Sequence, residues 1–326
     1  MRRGLMGLVV LSTGLLFGCF SRMVSMPGHS YEGPAATPDA RLEAQLRADV
    51  TQLAAGFGER NVYNAPEALE RSAVWLTQRL TSLGYVVKEE AFDVGERTVK
   101  NLIVEKAGST LTSELIVIGA HYDTAHGTPG ADDNGSGVAV GLALAEYAMK
   151  RTPARTVRFV FFTNEEPPFF RTAGMGSEVN AKASRARGDD VKAMLALETM
   201  GCFTDAPDSQ HYPWPFSAAY PSTGNFIAFV GDTDSRELVR EAVRVFREKA
   251  KVPSEGAALP AFVEGADWSD HGPYWRQGYR ALMVTDTAPF RNPHYHRATD
   301  VPATVDFRRL ALTAEGLVAV LDSLSN

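Results

Sequence analysis

Cysteine is almost missing: Cys19 and Cys202 are the only two in 326 residues. A fold stapled by several disulfides is therefore excluded, and Cys202 reads as a small buried hydrophobe rather than a nucleophile. A basic surplus is also absent, since the formal net charge is −6. That argues against a nucleic-acid partner, which needs a cationic surface to meet phosphates. No repeat period and no long low-complexity segment interrupts the chain, so solenoids are excluded. What remains is ordinary globular material, 44% hydrophobic and 22% charged, long enough to bury a large core in one or two domains.

No apolar run reaches the roughly 20 residues a spanning helix needs. The nearest is Leu5–Phe17 within "MRRGLMGLVVLSTGLLFGCF", which follows two arginines and ends at Gly18-Cys19. Charge followed by a short apolar stretch is the layout of a secretory signal. Leu16-Phe17-Gly18-Cys19 resembles the lipobox of bacterial lipoproteins, where the Cys is lipidated and becomes the mature N-terminus. The resemblance implies a signal peptide over 1–18, a lipid-anchored linker over 19–39 and a working domain over 40–326. Export to the cell envelope follows, with Cys19 as the membrane attachment, facing the periplasm in a Gram-negative cell. Ser21, in place of an acid beside that Cys, favours the outer membrane. The linker is rich in Ser, Pro, Gly and Ala, the composition of a tether.

Further on, helical and extended patterns alternate. "ARLEAQLRADVTQLAAGFG" and "LERSAVWLTQRLTSLGY" carry apolar residues at helical spacing. "VVKEEAFDV" and "TVKNLIVEK" alternate as an antiparallel pair with one wet face. "ELIVIGAH", "TVRFVFFTNEE" and "VKAMLALETMG" are near-continuous apolar runs, as in strands covered on both faces. "GVAVGLALAEYAMK", "RELVREAVRVFREKA" and "FRRLALTAEGLVAVLDSL" are helical; "NFIAFVG" and "ALMVTDT" are extended. The expected fold is α/β: a single three-layer domain with a mostly parallel sheet between helices.

Chemistry-bearing residues fall at strand ends. His121 closes one predicted strand, Glu165-Glu166 another and Glu198 a third. In open α/β sheets ligands bind outside the carboxyl ends of the strands, so these groups are expected to meet on one rim. Taken singly, His121 is a loop histidine, Asp133 a turn residue and Glu165-Glu166 a solvated helix start. Jointly they offer the imidazole and carboxylate donors that a hydrolytic zinc site needs.

The segments "GAHYDT", "GADDNGSG", "TNEE", "LETMG", "WSDHGPYW" and "NPHYHRATD" occur in one order. In that order and spacing they resemble the co-catalytic zinc aminopeptidase family, which also contains glutamate carboxypeptidases and glutaminyl cyclases. The resemblance runs over roughly residues 60–326 and implies two zinc ions and peptide substrates. By it, His121, Asp133, Glu166, Glu198 and His296 match the metal ligands, with Asp133 bridging. Glu165 matches the general base, and Asp123 the acid orienting His121. Tyr295 matches a residue that in some members donates to the developing oxyanion; simple packing is the alternative. From its place in "SDH" Asp270 reads as a supporting residue or a helix cap, and Asp300 as a residue that orients His296 or has no such role. The resemblance also places a cis peptide at Asp133-Asn134.

Two departures stand out. Glu198 replaces the commoner aspartate, and "EEPPFFRTAGMGS" brings Pro167, Pro168, Phe169 and Phe170 to the pocket or the sheet. "PDSQHYPWPFSAAYPSTGNF" is an aromatic insertion suited to a pocket wall. Rival readings share the scaffold. A one-zinc glutaminyl cyclase lacks the first histidine ligand, which is present here as His121. A carboxypeptidase or amidase needs a guanidinium for the substrate carboxylate, and Arg171, Arg276 and Arg291 are available. A metal-free binding domain would have lost ligands that are intact in this chain.

Overall fold

The computed structural model describes residue 18 and residues 20–326, so the expected lipidation site Cys19 and residues 1–17 of the expected signal peptide lie outside the described residues. The alternating segments "VVKEEAFDV" and "TVKNLIVEK" form a hairpin of β1 (Lys88–Val94) and β2 (Arg97–Lys106). Gly95 closes its turn at a positive φ of 62°. The continuous apolar runs become β3 (Leu111–His121), β4 (Arg155–Phe162) and β5 (Asp190–Glu198). β6 (Ile227–Asp232), β7 (Ser254–Leu259) and β8 (Ala281–Thr285) complete one eight-stranded sheet, ordered β1-β2-β4-β3-β5-β8-β6-β7. Its centre, β4-β3-β5-β8, is parallel, and antiparallel pairs join β2 to β4 and β8 to β6.

Period-two alternation inside β3 sorts the two faces. Ile116 and Ile118 enter a core shared with α1 (Ala40–Thr51), α2 (Pro66–Ser82), α3 (Gly137–Met149), α5 (Arg236–Lys249) and α7 (Phe307–Ser325). Val117 points the other way, into a smaller core with Ala181 of α4 (Gly176–Arg187) and Tyr274 of α6 (His271–Arg276). The expected helix–sheet–helix layering is what forms. Two elements escape the sequence pattern. β7, "SEGAAL", has no apolar alternation and is extended because it pairs with β6. α4 carries few large apolar residues, so its periodicity is faint.

The stretch read as a tether is a docked strap. Residues 20–24 are helical, and Phe20, Met23 and Val24 pack beside Phe216, Leu259 and Ala266. Arg236, Arg240 and Arg247 donate to the carbonyls of Arg22, Ser25, Pro27 and Gly28, and Arg308 donates to Ala36. Backbone carbonyls finding guanidinium partners explains why a Ser/Pro/Gly-rich stretch lies down instead of hanging free. Among the described residues no helix is long and apolar enough to cross a membrane.

Candidate metal centre

The parallel strands end together on one rim, and the acids and imidazoles meet there. His121 is the last residue of β3 and is fully buried. Its Nε2 lies 3.4 Å from Asp133 Oδ1 and 3.2 Å from Glu198 Oε2, at the end of β5. His296 Nε2 lies 3.2 Å from Asp133 Oδ2 and 3.1 Å from Glu166 Oε2, in the loop after β4. Two ligand triads therefore share one carboxylate, each with its donor atoms within 4.8 Å of one another. His121 Nε2, His296 Nε2 and both Asp133 oxygens are buried yet have no hydrogen-bond partner. Orphaned buried lone pairs facing one another are costly unless a cation lies between them, so the residues fit a pair of metal ions.

Each ligand is held from behind. Asp123 serves two jobs: its Oδ1 lies 3.5 Å from His121 Nδ1, and its two oxygens accept the backbone N–H groups of Glu165 and Glu166, both at 3.1 Å. Glu166 Oε1 accepts from Ala125 N, and Glu198 Oε2 accepts from Ser269 Oγ at 2.8 Å. The hydroxyl of Ser269 thus secures the longer arm of Glu198. The peptide Asp133-Asn134 is cis, as the resemblance implies. Asn134 then ties α3 to β5, donating to Leu197 O and accepting from Thr199 N. A Cβ on Gly137 would collide with Asn134 and the Leu197 carbonyl, so the helix start can approach the strand only as glycine.

Two expectations change. Asp300 is not spent on His296; its carboxylate accepts from Asp132 N and Asp133 N at 2.8 and 3.1 Å, orienting the bridging residue instead. Asp270 does not cap α6 with its side chain, and its oxygens are buried without partners. Burial raises it to about 7, offset by His121 and reinforced by Glu198 and Asp123, which places it in the field of the site. Asp132 accepts from Gly201 N and Asn292 Nδ2, a loop-building role. Arg60 is a supporting residue that no sequence signal marked. Fully buried, it donates to the carbonyls of Leu53, Gly58, Tyr122, Pro129 and Gly130, fixing the segment that runs from His121 to Asp133.

The electrostatics are those of crowded acids in a dry place. Burial raises Glu166 to about 8 and Glu165 well above the usual carboxylate range. Burial alone would lower both histidines, but Glu198, Asp123 and Asp133 hold His121 well above its usual value, while Asp133 and Glu166 lift His296 to about 10. Tyr295 stacks on His296 with ring centroids 3.9 Å apart. Burial first, then Asp133, Glu166 and Glu198, drives its ionisation upward, so its hydroxyl keeps a proton to donate.

Two clefts flank the centre. An apolar pocket of about 850 Å³, counting its open mouth, reaches Glu198 and Tyr295 and is walled by Tyr212, Phe216, Phe226 and Trp268. The aromatic insertion is its wall, as expected. Pro167, Pro168 and Phe169 instead line a smaller cleft beside Glu166 and Asp123, where Phe169 stacks on Tyr63. Neither cleft contains an arginine. Arg171 pairs with Asp267, Arg276 with Glu178, and Arg291 donates to Gln210, Cys202 O and Phe226 O.

The chain is similar to known proteins over most of its length. It is 36% identical over 295 residues to the YfbL protein of Escherichia coli strain K12, covering 88% of this chain and 90% of that one. It is 28% identical over 233 residues to a probable leucine aminopeptidase of Arthroderma otae, covering 66% of this chain and 55% of that protein. In structure it superposes on a zinc aminopeptidase from Bacillus subtilis with a TM-score of 0.67 at 14% identity, over 89% and 96% of the two chains. It superposes on Porphyromonas gingivalis glutaminyl cyclase with a TM-score of 0.64 at 19% identity, over 87% and 99%. The family profile of peptidase family M28 matches residues 101–321, well over half of the chain, and the protein belongs to that family.

Proposed function

We propose that the protein is an exported, lipid-anchored aminopeptidase that uses two zinc ions to remove N-terminal residues with apolar side chains. The observation that carries this reading is Asp133, whose two unpartnered oxygens each face a separate imidazole–carboxylate pair beside an apolar pocket. His121, Asp133 and Glu198 would hold one ion, and Asp133, Glu166 and His296 the other. Bound there, zinc supplies Lewis acidity toward a carbonyl and makes water easier to deprotonate.

The chain's own groups do the rest. Glu165 lies 3.9 Å from His121 Nε2 and is raised chiefly by burial. With two cations beside it to favour its ionised form, Glu165, which is committed to no ligand contact, is placed to take the proton of the attacking water and return it to the leaving amine. The protonated Tyr295 hydroxyl donates to the carbonyl oxygen as negative charge gathers there. A free amino terminus is cationic and finds its partners in Glu165 and Glu198. Its side chain enters the apolar pocket that begins at Glu198.

No guanidinium lines either cleft, and Arg171 and Arg276 are paired with acids, which speaks against recognition of a substrate carboxylate, and hence against a carboxypeptidase. His121, in contact range of Asp133 and Glu198, speaks against a one-zinc cyclase. The deciding experiment measures metal content together with turnover of three substrate classes. Two equivalents of zinc, rapid hydrolysis of leucyl- and phenylalanyl-nitroanilide and negligible action on N-acetylated analogues are expected. Blocked substrates cleaved as fast as free ones, or cyclisation of glutaminyl peptides with one zinc, would overturn the reading. Labelled palmitate entering wild type but not Cys19→Ala tests the anchor.

A further inference from the structure

The most exposed aromatic side chains among the described residues are Trp214 and Phe262, 90% and 89% exposed. They sit on different loops, the insertion 207–226 and the segment 260–268 after β7. The bases of both loops meet in one apolar cluster, where Phe216 and Tyr212 pack with Leu259, Val263 and Ala266. Phe20, Met23 and Val24 complete that cluster, and the Phe20 ring lies 5.7 Å from that of Phe216. Phe20 directly follows Cys19 in the sequence, and the cluster it joins is formed by Tyr212, Phe216 and Val263, sequence neighbours of the two bare aromatics.

The local chemistry suits a lipid surface. Residues 209–231, around Trp214, contain no Asp, Glu, Lys or Arg, while the loop of Phe262 carries Glu264, which is exposed, and Asp267, which pairs with Arg171. Trp and Phe partition into the lipid–water boundary without needing anionic headgroups. Pro213 and Pro215 flank Trp214 and stiffen its loop, so little ordering entropy opposes insertion. Arg22, exposed on the strap, can meet phosphate without being the source of binding.

We propose that Trp214 and Phe262 form a docking surface for a phospholipid bilayer, so that the anchored enzyme lies with its apolar pocket opening beside the membrane. The same loops supply Tyr212, Pro213, Phe216 and Val263 to the pocket wall, which ties the docked face to the substrate entrance. This rests on the anchored reading above and adds to it a fixed orientation. A tether would leave the domain free to turn; a docked strap and an aromatic patch do not.

The test uses the full lipidated chain, purified from membranes and reconstituted into phosphatidylcholine vesicles with plain or brominated acyl chains. Tryptophan emission attributable to Trp214, taken as the difference from Trp214→Phe, is expected to fall at least twofold in brominated vesicles. The fall should be insensitive to salt and at least halved in Phe262→Ser. Acylated protein that floats with the vesicles while Trp214 emission is unchanged by bromine overturns the docking surface and leaves the anchor standing. Failure of Cys19 to be acylated, with no flotation, overturns the anchor and this inference together. A tenfold change in KM for a soluble nitroanilide in Trp214→Ser, without bromine quenching, would assign the residue to substrate instead.

Discussion

Glu165 and Glu166 are neighbours with the same side chain, and only their surroundings separate their roles. Glu166 faces His296 at 3.1 Å and accepts from Ala125 N, which commits both its oxygens. Glu165 has no such partner and stays available to a proton. Glu165→Gln preserves shape and hydrogen-bonding reach while removing basicity, and should keep the full metal content. Its kcat should fall by roughly 10²–10⁴, the usual worth of a positioned general base. Metal analysis beside steady-state kinetics checks this; undiminished turnover with metal bound would remove the role. The doublet was legible as a pair in the sequence. Which member does what depends on the N–H groups that Asp123 receives from both, contacts that exist only after folding.

At the scale of elements, the rim is built by strand ends and by the loops that hang from them. The loop from His121 to Asp133 carries ligands at both ends and is pinned from below by Arg60. Burial lowers that guanidinium to about 10, opposed by Asp123, Asp300 and Asp133, so it is still charged at neutral pH. Arg60→Leu would take a donor from five carbonyls, those of Leu53, Tyr122 and Gly130 buried, and remove a counter-charge to the acids. At about 1–3 kcal/mol for each buried group left unsatisfied, a loss of several kcal/mol is expected, discounted by water entering the gap. Urea unfolding should show the loss, and zinc content should drop even in the folded fraction. The sequence marked the loop's ends through their chemistry and missed Arg60, because a lone arginine before a turn looks like any surface charge.

For the molecule as a whole, stability should depend on acid through His271. It is fully buried, donates through Nε2 to Ala266 O at 2.8 Å and packs edge-on against Trp275. Burial lowers it to about 4, resisted by the Ala266 hydrogen bond and Asp267 and assisted by Arg276. In the unfolded chain the ring takes a proton near its ordinary value of about 6.5, while the folded chain refuses it until about pH 4. The unfolded state thus binds more protons across that interval, and stability falls as the pH falls through it. The loss is on the order of 3 kcal/mol for complete burial of the neutral form. Unfolding free energies of wild type and His271→Gln, compared at pH 7 and pH 4.5, should converge toward the acid end. A constant difference would mean that the ring is not held neutral.

The α/β class and the position of each central strand were decided locally, whereas the five expected ligands came from the order of six motifs that resemble a known family. Apolar runs have to be buried on both faces, and donor residues at their ends have to share a rim. What only the tertiary structure decided is longer-ranged. β7 is a strand because β6 offers it an edge, and the strap lies flat because five arginine–carbonyl contacts reward it. Asp300 serves Asp133 rather than its near neighbour His296, for its carboxylate finds backbone N–H groups 167 and 168 positions away. Partners that distant leave no local pattern, since hydrogen bonds between remote segments are set by packing and not by spacing along the chain.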